Sequence, residues 1–233
     1  MILAIDTSTD YAGIALYKAG VGVIAEQTWL SGREQTTQLL PTLQRLMQLA
    51  GATTEEIIGI GVATGPGSFS GVRIGISTAK AMAYALQIPL YGVPTLDILA
   101  YSHAAVTAAQ ICSVLSMGRG RYAWALYRTR GAQWQKLTPY AAGTVEELCT
   151  TMQGYKTNVA TLFCGEIVPD LAERLADTLG KEAAIAPLAS SLRRAGYLAE
   201  LAWQRATRGE SDDPTTLQAI YLQPSAPAEA SAK

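Results

Sequence analysis

The segment Thr64-Gly65-Pro66-Gly67-Ser68-Phe69-Ser70-Gly71-Val72-Arg73 constrains this chain more than any other stretch. The apolar run Ile57 to Ala63 precedes it, and Ile74-Gly75-Ile76-Ser77-Thr78-Ala79-Lys80-Ala81-Met82-Ala83 follows. That order reads as strand, glycine turn, helix. Backbone amides at such a helix start can cradle an anion, so nucleotide binding is the first function to weigh.

The rest of the chain organises around this unit. Ile2 to Ile5, Ala12 to Tyr17 and Val21 to Trp29 read as three strands of an antiparallel meander, with the polar turn Asp6-Thr7-Ser8-Thr9-Asp10 after the first. Gln35 to Ala50 reads as a helix, because Leu39, Leu43, Leu46, Met47 and Ala50 fall on one helical face. Pro41 lacks a donor and must lie in its first turn or kink it, and Gly51 suits its stop. The helix from about Ser70 to Leu86 carries Gly71, Gly75, Ala79 and Ala83 at a spacing of four. Glycine inside a helix costs about 1 kcal/mol against alanine, so this smooth stripe implies a close backbone neighbour, either the chain's own sheet or a partner. Thr95 reads as the cap of the next helix.

From about residue 106 the pattern restarts. Ile111 to Met117, Tyr122 to Thr129 and Gln133 to Thr138 read as strands, and Thr144 with Glu147 as a capping box. A strand follows over Val159 to Cys164, then helices over Pro169 to Thr178 and Ser190 to Arg208. The expectation is a duplicated α/β fold with a cleft between halves, 1–106 and 107–223, and a disordered tail over 224–233 rich in Ala, Pro, Ser and Glu.

A formal net charge of -1 gives no global case for direct nucleic-acid or membrane binding. The start Met1-Ile2-Leu3-Ala4-Ile5-Asp6 has no basic region, and no apolar run approaches the roughly 20 residues that span a bilayer. Cys112, Cys149 and Cys164 are odd in number and scattered, which fits buried thiols of a cytoplasmic protein rather than disulfides or a zinc pattern.

Spacing also trims the chemistry. A Walker loop wants Gly-x4-Gly-Lys, but Ser70 stands at its second glycine and no lysine follows Gly71. Gly71 sits one place too late for the Rossmann form. The stretch Gly67-Ser68-Phe69-Ser70-Gly71 has no nucleophile-elbow spacing. The sole histidine, His103, lacks any motif setting for a base or a metal ligand. What remains is a phosphate-facing loop built from Asp6, Thr7 and Ser8 with Gly65 and Gly67, in which Asp6 serves either a metal-bound phosphate or the turn itself.

Four stretches together resemble one family: Ile2-Leu3-Ala4-Ile5-Asp6-Thr7-Ser8, Gln38-Leu39-Leu40-Pro41, the glycine loop with its helix through Leu86, and Pro89-Leu90-Tyr91-Gly92-Val93. They look like the TsaB (YeaZ) family. The close match covers residues 1 to about 100, with weaker features at Leu198 to Ala202, Asp213-Pro214 and Tyr221-Leu222. The resemblance implies a two-lobed actin-like, sugar-kinase and Hsp70-ATPase (ASKHA, duplicated RNase H-like) fold. It implies a non-catalytic subunit that supports the transferase TsaD in placing threonylcarbamoyl on adenosine 37 of ANN-decoding tRNAs. The ATPase TsaE joins that pair, tRNA is met only through the complex, and ATP and metal belong to the partner subunits. It also implies pairing with TsaD, or with a second copy when alone, through the N-terminal helices. On those helices Leu39, Leu43, Leu46 and Met47, and Ile74, Met82 and Leu86, are the expected interface. Catalytic relatives carry two histidines where this chain has Thr95 and Leu99, so no metal or catalytic residue is expected. Family members often place an acidic residue before Ala-Arg at the first strand end of the second half. Here the sequence is Ser116-Met117-Gly118-Arg119. The other function to weigh is a free-standing actin-like ATPase or sugar kinase.

Overall fold

A computed structural model describes residues 1–104, 110–130, 133–155 and 160–222. The tail expected over 224–233 lies outside the described residues. The chain divides into two compact units, one of Met1–Ser102 with Leu192–Ile220, the other centred on His103–Ser191.

In the first unit, β1 (Ile2–Asp6), β2 (Tyr11–Lys18) and β3 (Gly22–Leu30) form the meander. Next come α1 (Gln35–Ala50), β4 (Gly59–Ala63), α2 (Phe69–Leu86), β5 (Leu90–Val93) and α3 (Thr95–Ala104). The strand order is β3-β2-β1-β4-β5. β2 runs antiparallel to both β1 and β3, while β4 is parallel to β1 and β5. The second unit holds β6 (Gln110–Gly118), β7 (Arg121–Arg130), β8 (Gln133–Lys136), β9 (Ala141–Gly143), α4 (Val145–Gly154), β10 (Thr161–Gly165), α5 (Pro169–Leu179) and β11 (Ala183–Ile185). Its order is β11-β10-β6-β7-β8, with β9 also on β7. From the parallel edge inward, this repeats the first sheet: two parallel neighbours, a central strand, then an antiparallel pair. The duplication expected from the sequence is therefore real.

One expected boundary is corrected. α6 (Ala195–Thr207) packs on β1, β2, β4 and β5, so Leu192–Ile220 belongs to the first unit rather than to a lobe running to residue 223. β4 explains the fit. Its residues Ile60 and Val62 enter the core cluster with Leu3, Ile5, Leu39, Leu43, Leu46, Val72 and Ile76. Gly61 faces the other way, where a Cβ would stand 2.8 Å from the Ala202 Cβ. The bare backbone lets the small face of α6 lie against the sheet. A central parallel strand covered on both faces has no polar alternation, which is why Ile57 to Ala63 reads as one apolar run.

α6 also starts later than the expected Ser190. The Glu26 carboxylate accepts the Gly196 N–H at 2.9 Å and the Arg194 guanidinium at 2.7 Å, so a first-turn amide of α6 is capped from β3. Pro41 stands inside α1, past its first turn. It is exposed, so the carbonyl left without an N–H partner is open to water. Thr95 is the first residue of α3 rather than its cap: the Pro94 carbonyl accepts from Asp97 and Ile98, and the buried Thr95 Oγ1 has no partner among the described residues. No helix among the described residues is long and apolar enough to cross a membrane.

In the second unit, Cys112, Val114, Trp124, Leu126, Phe163 and the inner faces of α4 and α5 make the core. Cys112, Cys149 and Cys164 are buried and form no disulfide with one another. Burial pushes the Cys164 thiol up to about 12 and Cys112 well above its usual range. Both therefore stay neutral in the folded protein at pH 8, whereas unfolded thiols begin to ionise there. Iodoacetamide at pH 8 should leave Cys112 and Cys164 unmodified in the native protein and alkylate both in urea, read by mass spectrometry; rapid native labelling would contradict this packing.

Candidate functional site

The turn after β1 and the glycine loop after β4 are folded into each other. The Ser68 N–H donates to the Ser8 carbonyl at 2.7 Å, and the Thr7 hydroxyl donates to the Gly71 carbonyl at 2.7 Å. A Cβ on Gly67 would lie 2.0 Å from the Ser8 carbonyl oxygen, and one on Gly71 would lie 2.1 Å from that of Thr7. Gly75 faces the Thr7 side chain in the same way. The small stripe of α2 is thus a seat for the β1–β2 turn. Of its two readings, packing on the chain's own sheet is the one observed: Gly71, Gly75, Ala79 and Ala83 are all buried.

This embrace engages several of the groups a phosphate would need. The Ser68 amide is held by Ser8, and the Gly71 amide by the Ser68 hydroxyl at 3.2 Å. Asp6 Oδ1 accepts the Ser8 N–H at 2.8 Å and the Ser8 hydroxyl at 2.6 Å, closing a tight turn on itself. Asp6 Oδ2 accepts Arg193 Nε at 3.0 Å, and both side chains are only 4% exposed. Arg193 Nη2 also donates to the Thr9 hydroxyl. Asp6, Thr7, Ser8, Gly65 and Gly67 are therefore brought together in this turn and loop. The carboxylate, however, faces an internal guanidinium. Arg193 is the residue that sequence reasoning missed. Its only signal is an arginine pair just before an apolar helix, a pattern common on surfaces.

A second arginine fixes the far edge of the sheet. Arg205 reaches from α6 to the Gly92 carbonyl at 2.8 Å and to both Asp212 oxygens, at 2.6 and 3.1 Å. Asp212 in turn accepts the Gly92 N–H at 2.6 Å. The Ile220 N–H then bonds the Thr64 carbonyl at 2.7 Å, at the root of the glycine loop. The last described part of the chain thus straps β4 and β5 to α6.

The other expected site residues separate into two groups. Leu39, Leu43 and Leu46 are 2%, 5% and 3% exposed and lie inside the first unit's own core, which corrects their place in a partner-facing ridge. Met47, Ile74 and Met82 are half-buried against the same core, and Leu86 is half-buried. The reason is the width of the stripe: α1 has β2, β3 and α2 beneath it, so its most regular apolar face is used at home. The outward apolar residues of the two helices are Leu40 and Leu49 on α1 and Phe69 and Tyr84 on α2, with the Arg73 guanidinium 3.7 Å from the centre of the Phe69 ring. Thr95 and Leu99 are buried. Burial lowers the pKa of His103. No group of three ligating side chains is gathered among the described residues.

A family model described as TsaD: tRNA N6-adenosine threonylcarbamoyltransferase matches residues 16–225. The tRNA threonylcarbamoyladenosine biosynthesis protein TsaB of Buchnera aphidicola subsp. Schizaphis graminum is 37% identical over 100 residues, 43% of this chain and 47% of that protein. The chain spans about half the length of the curated relatives it matches. In fold it is similar to a Pseudomonas aeruginosa protein described as resembling peptidase YeaZ, with TM-score 0.79, 23% identity, and coverage of 95% of this chain and 99% of that one. It also shares the fold of the activator of 2-hydroxyisocaproyl-CoA dehydratase from Clostridium difficile, solved with ADPNP, at TM-score 0.51, 11% identity, and coverage of 94% and 98%. The architecture is thus the two-lobed actin-like one.

Removing one member of a buried ion pair strands the other charge, at about 3–5 kcal/mol. Arg193→Met should lose stability on that scale in urea unfolding, and Asp6→Asn on top of it should recover a substantial part. Additive losses in the two-residue cycle would mean that the pair is not coupled.

Proposed function

Because the chain belongs to the TsaB (YeaZ) family, within the group described as TsaD-type tRNA N6-adenosine threonylcarbamoyltransferases, we propose that it is a non-catalytic scaffold subunit. In this reading it supports a TsaD partner in modifying adenosine 37 of ANN-decoding tRNAs, with TsaE joining the pair and a homodimer forming when the chain is alone. ATP and metal act on the partner subunits. The carrying observation is the closure at Asp6. A carboxylate already held by Arg193 and by the Ser8 amide and hydroxyl has little left to offer a metal-bound phosphate. The glycine-loop amides of Ser68 and Gly71 are engaged as well. In this reading, a fold that elsewhere works on nucleotide serves as a scaffold.

The contact surface we assign to the partner is the outward side of α1 and α2. Leu40, Leu49, Phe69 and Tyr84 are exposed on these two helices, and Met47, Ile74, Met82 and Leu86 are half-buried. Large apolar side chains exposed on two neighbouring helices mark a contact surface better than isolated ones do. Tyr84 is 78% exposed, so its replacement does not disturb the core. Leu43, by contrast, is a core residue, and charging it tests folding rather than docking.

Mixed with a TsaD partner, the wild-type chain should co-elute on gel filtration. Tyr84→Glu with Leu40→Glu should weaken that pairing about tenfold or more while leaving the melting temperature within a few degrees. The lone chain should hydrolyse ATP no faster than a buffer blank. Steady ATP turnover by the lone protein would overturn the scaffold reading in favour of a free-standing ATPase or sugar kinase.

A further inference from the structure

We propose that the β6–β7 hairpin, Ser116–Arg121, is a docking point for the phosphate backbone of RNA. The inference rests on the tRNA-modifying role proposed above and adds a direct contact to it. Between Asp97 and Glu146 the sequence has no carboxylate side chain, yet it carries Arg119, Arg121, Arg128, Arg130 and Lys136. A chain of net charge near zero has thus set its cations apart in one stretch.

The structure brings two of them to a projecting tip. Leu115 is the last buried residue of β6, and Ser116 to Gly120 are exposed one after another. The ladder nevertheless continues through Ser116↔Tyr122 and Gly118↔Arg121, so the tip is a paired ribbon. It is pinned at its base. The Ser116 N–H donates to Glu166 Oε2 at 2.9 Å, and the Gly118 N–H to the Ser116 hydroxyl at 3.3 Å. Glu166 is the carboxylate at this base, and it is committed to an amide.

Arg119 stands at φ 54°, between Gly118 at 74° and Gly120 at 70°. Its neighbours suit that left-handed backbone, whereas an arginine Cβ is strained there, and glycine or asparagine would fit better. A side chain kept against its backbone preference is a sign of use for its head group. Among the described residues, neither Arg119 nor Arg121 has an ion-pair or hydrogen-bond partner. Two unengaged guanidinium forks on a narrow ribbon match phosphate oxygens. An acidic protein partner fits less well. Protein interfaces are anchored by buried aromatic or apolar groups, and the tip offers only Met117, 37% exposed.

The test uses the full chain with an unmodified ANN-decoding tRNA, titrated by fluorescence anisotropy over a range of salt, alone and mixed with a TsaD partner. Arg119→Gly with Arg121→Gln should lower the affinity several-fold and reduce the slope of log K against log salt by about 2, one for each phosphate no longer neutralised. The melting temperature should hold or rise, because glycine relieves the backbone at residue 119. Unchanged affinity and slope, alone and in the mixture, overturn the proposal. So does a variant that loses affinity for polyglutamate while keeping it for tRNA. A wild-type chain that fails to join the partner overturns the parent reading, and the salt slope of the lone chain still judges the hairpin.

Discussion

The first unit is organised around one buried pair, Asp6 with Arg193. The two side chains come from opposite ends of the sequence, at the close of β1 and just before α6. A lone carboxylate at this depth is costly, and so is a lone guanidinium. Each is acceptable because the other is present and because the remaining oxygens and nitrogens reach Ser8 and Thr9. Such a pair adds little to stability compared with a well-packed apolar substitute. Its contribution is register: it holds the approach to α6 over the end of β1, where Glu26 then caps the helix and Ala202 meets Gly61.

In the reading proposed above, the same pair accounts for how a nucleotide-type fold is put to another purpose. A phosphate loop works when amides and a carboxylate converge on empty space. Here the Ser68 and Gly71 amides and the Asp6 carboxylate are engaged within the protein itself. Gly67 and Gly71 retain the closeness typical of a phosphate cradle, but what they approach is the carbonyl of Ser8 and that of Thr7. The glycines of α2, each a local penalty of about 1 kcal/mol in a helix, are offset by packing across this contact.

Much of the architecture was legible because it rests on local rules. α1 shows its apolar period and its glycine stop, and the Thr144–Glu147 box announces α4. The repeated order of strands and helices exposes the duplication. What stayed hidden depends on pairs distant in sequence. Nothing around residue 193 says that its partner is Asp6, and nothing in the period of α6 says which sheet it covers. The interface residues illustrate the same limit. Leu39, Leu43 and Leu46 have the most regular spacing on α1, and regular spacing marks the face that the protein needs for its own core. The exposed leucines of α1, Leu40 and Leu49, fall outside that most regular face.

The two halves have taken their equivalent turns in opposite directions. By strand order, the β6–β7 turn corresponds to the β1–β2 turn. The first starts from Asp6, is buried through Thr9, and is closed by an internal cation. The second has Ser116 near its start, is exposed, and holds two arginines without a carboxylate partner among the described residues. Once the second turn lacks an acid, nothing in its own stretch from 98 to 145 neutralises those cations. A duplicated scaffold can therefore divide its labour. In the reading proposed above, one turn serves to fix the fold, and the other, exposed, carries charge for a polyanion.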